Sequence, residues 1–136
     1  MERHWPRPPV DGYTVDDLFT LPDLPRHTEL IDGSLVFASP QTNFHCTAVD
    51  LLMSGLRTSR PAEFKISRDM TVILDRRNGS EPDVSVIRAA AVTGRDQMSF
   101  QGRDVLLAIE VVTRASASRD RTTKPWKYAA AGIDEL

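Results

Sequence analysis

Residues 104–113 read DVLLAIEVVT, an apolar and β-branched run broken by a single acid, Glu110. A run of this kind reads as a strand covered on both faces, because a half-exposed strand would alternate apolar with polar residues. The chain must therefore supply a layer on each side of it. With 136 residues, 40% of them hydrophobic, it has the material of about one domain for that purpose. Glu110 is the anomaly. A carboxylate in a covered strand is costly to leave ionised and alone, so it demands a cation, a hydrogen-bond network or a raised pKa.

The rest of the chain provides the layers. Residues 1–13 are Pro-rich and read as an extended N-terminal segment. Thr14 before VDDLF, with Asp17 three residues on, is an N-cap signal for a short helix ending near Leu21. Asp32-Gly33 between two apolar runs in TELIDGSLVFA predicts a hairpin. Phe44, Ala48, Leu51, Leu52 and Leu56 recur at helical steps, which predicts an amphipathic helix over residues 41–58. Extended stretches follow at Glu63–Ile66 and Met70–Leu74, then a polar turn over Asp75–Ser80, then the alternating strand EPDVSVIR. A last helix begins near Pro125 and stops at Gly132. This order gives an α/β (α+β) chain with a mixed central β-sheet flanked by helices.

Several function classes are excluded or left without support. The one cysteine, Cys46, rules out an internal disulfide framework and a multi-cysteine zinc site. No apolar segment is long enough for a signal peptide core or a membrane helix, so a cytoplasmic, non-membrane protein is expected. No Gly-rich phosphate loop, GxSxG elbow or HExxH element occurs. The formal charge is −2, unevenly spread: residues 1–36 hold seven acids against three bases, and residues 114–127 hold five bases against Asp120 alone. That basic stretch can attract phosphate, or it is a solvated loop and helix face.

Two carboxylates could carry chemistry together. Asp83 starts the EPDVSVIR strand, and if that strand neighbours the one holding Glu110, both acids can project to one side at one end of the sheet. Hard divalent cations are commonly held by such pairs; the alternative is that each acid pairs with a nearby arginine. Lys124, with Lys127 beyond it, could add charge for a phosphoryl transition state. His45 suits packing or capping better than catalysis, and a catalytic pair with Cys46 is disfavoured because adjacent helical side chains diverge. Trp126 and Tyr128 fit a core, or bases to stack on.

Taken together, TVDDLF, TELIDGSLVFASP, EPDVSVI, LLAIEVVTRAS and DRTTKPWKYAAAGI resemble, in order and spacing, the Uma-type restriction endonucleases of the PD-(D/E)XK nuclease superfamily. The resemblance implies a restriction-endonuclease-like core over residues 14–136. It implies that Asp83 and Glu110 bind metal, Mg²⁺ with Mn²⁺ able to take its place. Where the parent motif has lysine two residues after the second acid, this chain has Val112, and the lysine comes instead from the following helix as Lys124. Glu29 matches a further acid that helps hold metal or water. Relatives continue past the AGI element with a strand and a hairpin, so C-terminal strands are expected to be lacking here. Arg114 also departs from the small polar residue usual at its position.

These readings converge on an Mg²⁺-dependent endonuclease cutting DNA. Asp83, Glu110, Lys124 and Glu29 would form its site, and Arg114, Arg119 and Arg121 would hold backbone phosphates. A homodimer would allow two strands to be cut. The alternatives are an inactive nuclease-like module that binds nucleic acid or protein, and a toxin-like nuclease with another substrate.

Overall fold

In the computed structural model, residues 8–38, 40–113 and 123–136 are described. They form a mixed α+β fold of three helices, α1 (Val15–Thr20), α2 (Asn43–Ser59) and α3 (Lys124–Ala130), and nine strands in two sheets. The first sheet runs β2 (Ser34–Val36), β1 (Glu29–Ile31), β5 (Asn78–Ser80), β4 (Thr71–Asp75), β7 (Ser99–Gln101). The second runs β3 (Phe64–Arg68), β6 (Val84–Arg88), β8 (Val105–Ile109), β9 (Asp134–Glu135). Each sheet is antiparallel except at one end, where β7 joins β4 and β9 joins β8 in parallel.

Local chemistry sets the ends of these elements. Thr14 N donates to Asp17 Oδ2 at 2.8 Å, so the third residue of α1 satisfies an amide the helix cannot. At the β1–β2 hairpin, Asp32 and Gly33 both take positive φ, 48° and 80°, the backbone of a two-residue turn matched to strand twist. Thr42 Oγ1 accepts from His45 N and caps α2. Helix α3 closes with Gly132 at φ 76°, while Ile133 N donates to Tyr128 O and Gly132 N to Ala129 O. These are the two bonds of a Schellman cap.

The second sheet is buried on both faces, as the run at 104–113 requires. On one face Val84 and Ile109 pack with Val49 and Met53 of α2. On the other, Ile87, Val105 and Ala108 pack with Val72, Phe100, Tyr128 and Ile133. At about 25 cal/mol per Å² of apolar surface removed from water, these two clusters are the main favourable term in folding.

Four expectations need correction. The covered strand ends at Ile109, so Glu110 stands just past it rather than inside it. The turn at Asp75–Ser80 is shorter, because Asn78–Ser80 is itself a strand pairing with β1 and β4. Strand β7 lies between EPDVSVIR and DVLLAIEVVT, where the Gly, Asp and Gln of the sequence suggest only a loop. Helix α2 buries His45, Val49 and Met53, whereas Phe44 and Leu51 are 72% and 69% exposed. Leu52 and Leu56 of the expected stripe do pack against the core, so the inner face is that stripe turned by about one residue, centred on His45, Val49 and Met53 rather than on Phe44 and Leu51. Among the described residues, no helix is long and apolar enough to cross a membrane.

Candidate active site

The β6–β8 ladder ends with Val84 opposite Ile109. One step further out, on adjoining chain segments, come Asp83 and Glu110. The sheet therefore delivers both acids to one end, but not to one side: Asp83 turns to His45 of α2 and Glu110 to Lys124 and Tyr128 of α3, helices that cover opposite faces of this sheet. Neither is paired with an arginine among the described residues.

Glu110 meets α3. Its Oε1 accepts from Lys124 Nζ at 2.9 Å and from Tyr128 Oη at 2.8 Å. Lys124 and Tyr128 are four residues apart and so share a helix face; both are buried. Lys124 Nζ also lies 2.7 Å from Glu29 Oε2, and the same oxygen accepts from Glu81 N at 2.7 Å. Lys124 thus joins an acid from β1 to the acid after β8, and the structure brings together three of the four residues singled out for catalysis. Tyr128, weighed as core or base-stacking, is core and also hydrogen-bonds Glu110.

The electrostatics follow from burial. Desolvation pushes the Glu110 carboxyl up to about 8; the Lys124 ammonium pulls against that rise and the Glu29 carboxylate adds to it. Burial alone would depress the Lys124 ammonium, but Glu110 and Glu29 outweigh it and hold the group above its ordinary value. Tyr128 is raised well above the usual phenol by burial and by the same two carboxylates. Two acidic side chains thus share one ammonium.

Asp83 is held differently. Its Oδ1 is 2.8 Å from His45 Nε2 and its Oδ2 accepts from Val111 N at 2.6 Å. His45 is buried, and its Nδ1 has no hydrogen-bond partner. His45 therefore fixes the orientation of Asp83, a role that the sequence reading had divided between capping and packing.

The donor set suits a hard divalent cation. All candidate ligand atoms are carboxylate oxygens, and no described residue hydrogen-bonds Glu110 Oε2, since both of its bonds fall on Oε1. Next to this set lies a second group that the sequence did not suggest. His27, Asp69 and Glu81 have ligand atoms all within 4.8 Å of one another, the one such group of three among the described residues. Burial pushes the Glu81 carboxyl up to about 7, with His27 pulling against it and Asp69 and Glu29 adding to it. Arg114, Arg119 and Arg121 lie outside the described residues. Trp126 is 80% exposed on α3, which removes the core reading for it. Cys46 is a free thiol.

Comparison with known proteins bears on the family and the fold. The sequence profile of the family described as "Uma2: Putative restriction endonuclease" matches residues 15–136. No curated protein matches the chain. Among solved structures, the chain is similar to "a putative nuclease belonging to DUF820" from Anabaena variabilis. That likeness has a TM-score of 0.65 and 14% identity, and it covers 91% of this chain and 70% of the other. At that identity it is a likeness of fold.

Proposed function

The chain belongs to the Uma2 family, and on that premise we propose that it is an Mg²⁺-dependent endonuclease hydrolysing DNA phosphodiester bonds. The observation that carries the proposal is Lys124 Nζ lying 2.7 Å from Glu29 and 2.9 Å from Glu110, at the sheet end where Asp83 also sits. Asp83 and Glu110 hold the ion, with Mn²⁺ able to substitute. When bound, such an ion neutralises phosphate charge and lowers the pKa of water. His45 and Val111 N keep Asp83 in one orientation. Tyr128 and Lys124 do the same for Glu110, so little rearrangement is required when substrate arrives. Lys124 keeps a positive charge beside the phosphate as negative charge builds in the transition state, and Glu29 holds Lys124 in place. Arg114, Arg119 and Arg121 provide contacts to backbone phosphates that carry no sequence information. A cytoplasmic location and a dimer that cuts two strands belong to the same reading.

The test is conversion of supercoiled plasmid to nicked and linear forms in Mg²⁺, in Mn²⁺ and in EDTA. The wild type should cut in either metal and not in EDTA, while Asp83→Asn and Glu110→Gln should lose at least about 100-fold in rate. Single-stranded DNA and RNA run in parallel fix the substrate. Salt-sensitive DNA binding without cleavage by the wild type would establish the non-catalytic module instead.

A further inference from the structure

Beside the proposed catalytic acids, three other side chains converge from three separate parts of the chain. His27 precedes β1, Asp69 lies in the turn between β3 and β4, and Glu81 follows β5. Their ligand atoms lie within 4.8 Å of one another, and His27 Nδ1 is 2.7 Å from Glu81 Oε2. We propose that His27, Asp69 and Glu81 form a second cation site, distinct from the Asp83–Glu110 pair, which takes a divalent first-row transition ion such as Zn²⁺ or Mn²⁺.

Three arguments support this. The first is donor chemistry: an imidazole nitrogen suits transition ions and discriminates against Mg²⁺, whereas the catalytic set is all oxygen. The second is charge. Glu29 and Glu110 share Lys124, and Asp69 pairs with Arg68 through its Oδ2 at 3.3 Å. Glu81, largely buried, has only the imidazole of His27 as an ion-pair partner among the described residues. A buried carboxylate without a permanent cation invites one. The third is spacing. Metal–ligand bonds of about 2.0–2.2 Å place neighbouring ligands about 3 Å apart, close to the present His27–Glu81 separation. His27 and Asp69 are both partly exposed, which leaves room for water to complete the coordination.

The site also connects to the rest of the molecule. Glu81 N donates to Glu29 Oε2 at 2.7 Å, and Asp69 N donates to Asp83 O at 3.4 Å. An ion here would tie together three segments, two of whose backbones touch proposed catalytic acids, so occupancy should stabilise the fold by mass action.

The experiment is calorimetric titration of Zn²⁺, Mn²⁺ and Mg²⁺ into the full chain, with Tm read in parallel, for the wild type, His27→Ala, Glu81→Gln and Asp83→Asn. We expect saturable Zn²⁺ uptake by the wild type and a Tm rise of several degrees. His27→Ala and Glu81→Gln should each weaken Zn²⁺ and Mn²⁺ by at least about tenfold and abolish the Tm rise, whereas Asp83→Asn should retain both. His27→Ala should leave Mg²⁺ binding unchanged. Circular dichroism of the ion-free variants verifies that each is folded, and agreement between the two substitutions guards against one that is not. No uptake by the wild type, unchanged Zn²⁺ affinity in folded His27→Ala, or a loss that follows Asp83→Asn instead would each overturn the proposal. Zn²⁺ uptake is read without substrate, so its failure is separable from failure of the nuclease reading.

Discussion

Asp83 and Glu110 stand one step beyond the same ladder pair, yet the protein stabilises them by different means. Asp83 is held by a backbone amide and an imidazole, one hydrogen-bond partner on each carboxylate oxygen. Glu110 is met by an ammonium and a phenol, and it shares that ammonium with Glu29. Equivalent places in a sheet do not impose equivalent electrostatics. The difference comes from what packs outside: α2 offers His45 to one acid, and α3 offers Lys124 and Tyr128 to the other.

The sharpest way to break the contrast is Lys124→Ala. It leaves two buried acidic groups, one of them the Glu29 carboxylate, with no shared cation and should cost about 3–5 kcal/mol in urea unfolding. A fall of less than 1 kcal/mol would mean that the ammonium does not hold the site together. The second prediction concerns pH, in EDTA. The Glu110 carboxyl titrates near 8 in the folded protein and near 4.3 when unfolded. The folded state therefore binds more protons between those values, and stability should fall as pH rises through that window. Glu110→Gln should flatten the fall, leaving the part due to Glu81 below about 7. An unchanged slope in thermal melts from pH 5 to 8 would remove Glu110 from this account.

Removing the other hydrogen-bond partners should cost less. His45→Ala strips one partner from Asp83 and opens a small cavity against β6, for a loss of about 2–3 kcal/mol in chemical denaturation. Tyr128→Phe deletes a single hydrogen bond to Glu110 and should cost about 1.5 kcal/mol, with the wild-type circular dichroism retained. At the bottom of the scale, Phe44→Ser on the exposed face of α2 should change stability by less than about 0.5 kcal/mol. A larger loss on dilution would mean that this face is covered by another copy.

Much of the architecture was legible in the chain. Thr14 with Asp17, Asp32-Gly33, Pro125 and Gly132 act through their own backbone or that of neighbours a few residues away, so their effect can be read without knowing the fold. Strands β5, β7 and β9 were not legible for the opposite reason. Three residues or fewer carry no period, and Asn78–Ser80 is a strand only because β1 and β4 lie on either side of it. The inner face of α2 was read correctly at Leu52 and Leu56 but missed at its first turn on the same ground: His45 is buried against Asp83, and no pattern within the helix records that.

The amino-acid order by itself determined that residues 104–113 hold a covered strand, that a lone acid interrupts the run, and that a lysine follows beside the proline that opens the next helix. Only the tertiary structure decided that Lys124 reaches Glu29 as well as Glu110, and that His27, Asp69 and Glu81 meet. Hydrophobic periodicity and backbone preference are local and survive in one dimension. Charge pairing acts between side chains distant along the chain, such as Glu29 and Lys124, and exists only once the sheets and α3 have packed.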